Sequence, residues 1–126
     1  MDATKKTIMI VEDDTFVMDI YQTKITKEGI GVISASNGME AIKKLEAGAK
    51  PDLILLDILM PYMGGLELLK KIKEDENLKK IPVVLLTNLS QKEEIEEGLD
   101  LGAKDYLIKS HFTPSEVMEK INQYLQ

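Results

Sequence analysis

The stretch LILLDILMPYMGG, residues 53–65, decides how the rest of the chain is read. Four consecutive apolar residues, Leu53 through Leu56, are followed by one carboxylate, Asp57, and then by a Pro and Gly turn. A short apolar run bounded by turn signals is a strand buried on both faces, the kind that parallel sheets contain. Asp57 therefore stands where a buried strand ends. An ionised carboxylate there is costly unless it is solvated, paired or bound to a metal, so the position marks a candidate site at the strand's C-terminal edge. An Asp that merely begins a turn is the plainer alternative, and this segment alone does not choose between them.

Working outward from that strand, the chain alternates without repeats, linkers or low-complexity segments. KTIMIVE (6–12) reads as a strand, and DTFVMDIYQTKITKEG (14–29) as a helix with Val17, Tyr21 and Ile25 on one stripe and Gly29 as its stop. The strand VISA (32–35) precedes a helix entered at Asn37 and closed by Gly48. After the strand at 51–57 comes the helix GLELLKKIKED (65–75), whose Leu66, Leu69 and Ile72 repeat at helical spacing. PVVLLT (82–87) leads to a helix over 90–102, and KDYLIK (104–109) to one over 113–125 that carries Pro114 near its start. Five such units predict an α/β fold, a parallel sheet with helices on both faces.

Composition bounds the chemistry. At 126 residues the chain has the size of one domain, with no room for a separate output module in addition. It has no Cys, which excludes disulfides, thiolate metal sites and a Cys nucleophile, and its single His, His111, cannot build a His-rich zinc site. No apolar run approaches a membrane span, and MDATKK at the N-terminus lacks the apolar core of a signal peptide, so a cytoplasmic protein is expected. The net charge of −6 argues against a nucleic-acid surface. Protein contacts, a cation, or both are the functions left.

In an open α/β sheet, ligands sit outside the carboxyl ends of the strands, where strand order reverses. Taken in turn, those ends carry Glu12 and Asp13, then Asp57, then Thr87, then Lys109. The second strand contributes no chemical group, which suits an edge position away from the crevice. Carboxylates, a hydroxyl and an ammonium on one rim form an oxygen-rich set that suits Mg²⁺, which is typically held by one or two carboxylates together with a phosphate.

IMIVEDD (8–14), LILLDILMP with its Gly pair, VVLLTN (83–88) and GAKDYLIKS (102–110) together resemble the receiver domain of two-component response regulators, the CheY-like fold, over essentially the whole chain. The resemblance implies a flavodoxin-like sheet of strand order 2-1-3-4-5. It implies Asp57 as phosphoacceptor, Thr87 and Lys109 in contact with the phosphoryl group, and Tyr106 as a switch aromatic. For Mg²⁺ it implies Asp13 and Asp57 as ligands, the Leu59 backbone carbonyl as a further one, and Glu12 acting through water. The partners implied are a histidine kinase or histidine phosphotransfer protein and a downstream protein target. That target is expected on the face of helix four, strand five and helix five, around Ile95, Tyr106, Ile108 and Val117. Neither nucleic acid nor membrane is expected, and the chain should be a monomer or weak dimer that is not a turnover enzyme.

Each residue also has a plainer role. Asp14 reads best as a helix cap, His111 as a surface residue, and Phe16 either as a seal on the core or as a partner contact. The chain departs from the family pattern at Ser110, where Pro with a cis bond usually follows the Lys, so that peptide is either trans or strained. Asn88 is larger than the small residue usual after Thr87, while Leu59 and Leu89 are apolar where quickly dephosphorylating relatives carry polar groups. An Asp-nucleophile phosphohydrolase would want a second acid where Leu59 stands. A flavin binder would want a phosphate loop where VEDDTF would repel phosphate. A phosphorylation-independent pseudo-receiver is the rival reading.

Overall fold

In the computed structural model, which describes residues 5–88 and 92–125, ten regular elements alternate along the chain. They are β1 (Thr7–Val11), α1 (Thr15–Lys27), β2 (Gly31–Ala35), α2 (Gly38–Glu46), β3 (Leu53–Leu56), α3 (Gly65–Glu74), β4 (Val83–Thr87), α4 (Lys92–Asp100), β5 (Asp105–Ile108) and α5 (Pro114–Asn122). The strands form one parallel sheet of order β2-β1-β3-β4-β5, with the chemically silent β2 at an edge.

Alternation along the central strands divides the core in two. Met9, Val11, Ile54, Leu56, Val83 and Leu85 face α2, α3 and α4. Ile8, Ile10, Leu53, Leu55, Val84 and Leu86 face α1 and α5. Because successive side chains point to opposite faces, only an unbroken apolar run satisfies both layers, which is why β3 and β4 read as they do. Burying one such Leu or Ile contributes about 1.5–3 kcal/mol before entropy is set against it.

The helices begin and end on local signals. Asp14 caps α1, its Oδ1 accepting from the Phe16 and Val17 amides at 2.9 and 3.2 Å, so its plainer reading holds. Asn37 caps α2 by accepting from the Glu40 amide at 2.9 Å. Gly29 ends α1 in the left-handed region at φ 79°, and the amide of Ile30 then reaches back to the Ile25 carbonyl at 3.3 Å. On α3 the buried stripe is Leu68, Leu69 and Ile72, whereas Leu66 is half-buried and packs only at the core's margin. Phe16 is 74% exposed and seals nothing. A single 3₁₀ turn, Lys109–His111, follows β5, and no peptide bond among the described residues is cis, so the link from Lys109 to Ser110 is trans.

Candidate functional site

The register of the three central strands brings their C-terminal ends to one level. Val11 of β1 pairs with Leu56 of β3, and Leu56 with Leu85 of β4, so the residues just beyond, Glu12 and Asp57, are neighbours. The Asp57 amide donates to the Val11 carbonyl at 3.0 Å, which ties the two strand ends together. Thr87 pairs with Ile108, leaving Lys109 one residue past the sheet on the far side.

These ends create a crowded carboxylate cluster. Glu12 and Asp57 are buried and Asp13 is exposed, and one oxygen from each lies within 4.8 Å of the others. Lys109 Nζ donates to Glu12 Oε1 at 2.8 Å and to Asp57 Oδ2 at 3.1 Å. The second Glu12 oxygen accepts from the Asp14 amide at 3.0 Å. Asp57 Oδ1 is buried and has no hydrogen-bond partner among the described residues. A buried carboxylate oxygen in that condition is rare in a folded protein and points to a ligand.

Burial pushes the Asp57 carboxyl above the ordinary carboxylate range, and the Asp13 charge adds to it, against the opposing pull of Lys109. Burial raises Glu12 in the same way, the Asp57 charge adding to it and the bonds from Lys109 and Asp14 opposing it. For Lys109, burial works against the charged form, but the Glu12 hydrogen bond and the Asp57 charge outweigh it and hold its pKa up. One ammonium thus does not offset the burial of two carboxylates. Three clustered acids with an unsatisfied oxygen fit a hard divalent cation such as Mg²⁺.

The loop after Asp57 is shaped by two features that sequence reading missed. Tyr62 adopts a left-handed backbone, φ 68°, which costs a non-glycine residue about 1–2 kcal/mol, and its side chain is 86% exposed. Gly65 packs so closely that a Cβ there would lie 2.2 Å from the Asp57 carbonyl oxygen. The Gly pair signalled a turn but not this contact, which depends on α3 docking onto the end of β3.

Of the residues singled out in the sequence, the structure gathers Glu12, Asp13, Asp57 and Lys109 into direct proximity. Thr87 is fully buried at the end of β4. Leu59 is exposed on the rim, and Leu89 falls outside the described residues. Tyr106 lies on the outer side of β5, 39% exposed, against α4. Val117 is fully buried and is not part of an accessible face, whereas Ile95, itself largely buried, lines a groove between α4 and β5 whose large exposed apolar groups are Leu99 and Tyr106.

Residues 8–122 match the family model of the response regulator receiver domain. The chain belongs to that family. Among curated relatives, the receiver domain is 33% identical over 119 residues to the chemotaxis protein CheY1 of Helicobacter pylori, covering 94% of this chain and 95% of that one. It is 36% identical over 121 residues to the alkaline phosphatase synthesis transcriptional regulatory protein PhoP of Bacillus subtilis, covering 96% of this chain but 49% of that one. This receiver domain thus spans about half the length of several of the curated relatives it matches. Among solved structures, it superposes on the CheY-like receiver domain protein from Methanospirillum hungatei with a TM-score of 0.88 at 31% identity, covering 97% and 94% of the two chains. The phosphorylated cyanobacterial phytochrome response regulator RcpA gives a TM-score of 0.83 at 31% identity, covering 95% and 91%. The predicted strand order is the one observed. Among the described residues no helix is long and apolar enough to cross a membrane.

The charge imbalance makes a stability prediction for this receiver domain. Because folding raises the Asp57 pKa above its ordinary value of 3.8, the ionised form costs stability above that pH and the cost vanishes below it. In chelator, Asp57→Asn is therefore expected to raise the melting temperature at neutral pH by a few degrees, with the advantage fading as the pH falls toward 4. Millimolar Mg²⁺ should raise the wild-type midpoint and do less for the variant. Thermal denaturation followed by circular dichroism checks both, and a wild type indifferent to Mg²⁺ would count against the metal site.

Proposed function

We propose that the chain is a phosphorelay switch in which Asp57 accepts a phosphoryl group from a protein phosphohistidine, with Mg²⁺, and the change alters the face that a downstream protein reads. The observation that carries this is the buried, unpartnered Oδ1 of Asp57 beside an Oδ2 already held by Lys109. An ordinary structural carboxylate would use both oxygens.

Transfer forms a bond from an Asp57 oxygen to phosphorus and breaks the nitrogen to phosphorus bond of the donor, whose imidazole leaves with the electron pair. Asp13 and Asp57, with the Leu59 carbonyl and with Glu12 through water, would hold Mg²⁺, which screens the carboxylate and phosphoryl charges from one another. Lys109 places a fixed cation against Asp57 Oδ2, where it counters negative charge before and after transfer. The fully buried Thr87 hydroxyl is assigned the phosphoryl oxygen on the β4 side, and Tyr106 the response on the α4 side. The protein modifies itself and slowly reverses the change, and so does not turn over a substrate. A cytoplasmic location, where histidine kinases present their phosphohistidines, is part of this reading.

The test is incubation with carbamoyl phosphate, with and without Mg²⁺, followed by intact mass. One phosphoryl group per chain, dependent on Mg²⁺, is expected. No incorporation under either condition would favour a phosphorylation-independent interaction module instead.

The lifetime of the product is also predictable. Leu59, two residues after Asp57, is 59% exposed on the rim, and its side chain can neither donate to nor accept from an attacking water. Leu59→Asn is expected to speed dephosphorylation by roughly tenfold, about 1.4 kcal/mol of barrier. Decay curves of labelled wild type and variant in Mg²⁺ decide it, and superimposable curves would show that Leu59 does not gate the water.

A further inference from the structure

Between α4 and β5 lies a groove of about 390 Å³ lined by Lys92, Ile95, Glu96 and Leu99 of the helix and by Tyr106 and Ile108 of the strand. The helix positions recur at i, i+3, i+4 and i+7, so they form one continuous wall, and the alternate strand positions form the other. Leu99 and Tyr106 are 37% and 39% exposed, which leaves apolar surface on both walls for an apolar side chain to cover.

The flank of this groove is unusual within the molecule. Helix α4 carries Glu93, Glu94, Glu96, Glu97 and Asp100 against one lysine, whereas α1, α2, α3 and α5 each mix acids with lysines. None of the five takes part in a salt bridge among the described residues. At 100° per residue, Glu96, Asp100, Glu93 and Glu97 follow one another around the helix from the groove outward. Glu93 and Glu97, like Glu96 and Asp100, are also spaced to repel at i, i+4, and Glu97 and Asp100 oppose the negative end of the helix dipole. Gly98, in the helix interior, weakens α4 further, while letting it approach Leu85, whose Cδ1 would lie 2.5 Å from a Cβ there. Neither the core nor the helix itself offsets this charge. A cation brought by a partner would.

We propose that the α4–β5 groove receives a basic amphipathic segment of a partner protein, its apolar side chains between Leu99 and Tyr106 and its lysines or arginines along the acids of α4. Its control by phosphorylation rests on the switch reading above; its chemistry does not. A second copy of this chain fits poorly, because a two-fold contact through this face would bring the two acidic helices near each other.

The test uses the full chain, labelled with ¹⁵N, and three synthetic peptides of equal length: one alternating Leu and Lys faces, one with Glu in place of Lys, and one with Ser in place of Leu. The Leu/Lys peptide is expected to shift the amide signals of Ile95, Leu99 and Tyr106 and to bind at least about tenfold more tightly than either control, more weakly at high salt. Glu93→Lys with Glu97→Lys should lower that affinity at least about tenfold while leaving the rate of labelling by carbamoyl phosphate unchanged. Thermal melting confirms that this doubly exposed variant is folded. Equal binding of the Lys and Glu peptides, shifts confined to Glu12, Asp13 and Asp57, or self-association that the double variant strengthens would each overturn the proposal. Running the titration with and without carbamoyl phosphate separates the two readings. Affinity that ignores phosphorylation counts against the switch, whereas loss of the charge preference counts against the groove's occupant alone.

Discussion

Asp57→Ala is expected to take up no phosphoryl group from carbamoyl phosphate in Mg²⁺, under conditions in which the wild type labels once. Nucleophilic transfer needs a carboxylate that reaches the incoming phosphorus with a cation close by, and Asp57 joins burial at a strand end and contact to Lys109 at 3.1 Å with an oxygen that has no hydrogen-bond partner among the described residues. Glu12 Oε1 is also held by Lys109, but its other oxygen is bound to the Asp14 amide, so it offers no unpartnered atom. Asp13 is exposed and forms no salt bridge with Lys109 among the described residues. The expected loss exceeds about 10³-fold in initial rate, more than 4 kcal/mol of barrier. Lys109→Ala is expected to slow labelling without ending it, since the nucleophile stays. Intact mass and the base lability of the product are the readouts. Full labelling of Asp57→Ala at Asp13 or Glu12 would remove Asp57 from its assigned role.

Gly65→Ala should destabilise the fold by about 3 kcal/mol, roughly 10 °C in melting temperature for a chain of this size. The added Cβ would sit 2.2 Å from the Asp57 carbonyl oxygen and 2.8 Å from the Ile58 Cα, both backbone atoms, so α3 or the end of β3 must move. That movement would displace the carboxylate, and labelling should fall with stability. Gly64 provides the control. Its Cβ would meet only the Ile58 carbonyl oxygen at 3.3 Å, and its φ of −74° suits any residue. Gly64→Ala is therefore expected to change stability by less than about 1 kcal/mol. Chemical denaturation of the two variants side by side decides the matter, and equal midpoints would mean that the close approach relaxes freely.

The contrast between these two glycines shows what kind of information the chain carries locally. Both stand in the same dipeptide, and nothing in MPYMGG tells them apart; only the docking of α3 against the end of β3 does. The same holds for Tyr62, whose left-handed backbone has no signal in a residue type that disfavours it. Phe16 was open between core and surface because a first-turn position faces either way until the neighbouring loops are placed. Val117, expected on the output face, is fully buried because α5 turns that side onto the sheet.

The fold itself was written into short segments. Apolar runs at 53–56 and 83–86 require two covering layers, caps at Asp14 and Asn37 act within three residues, and Gly29 ends its helix by a conformation other residues avoid. Each depends on atoms a few positions apart, so sequence by itself determined the βα alternation, the buried sheet and the strand ends where charge collects. The pairing of Lys109 with Glu12, 97 residues away, depends instead on β1 and β3 lying side by side and β5 arriving beyond β4. Which oxygen is left unpartnered, which apolar side chains stay exposed and which glycine admits no side chain are decided by distances across the fold, and those are set only when all the layers have packed.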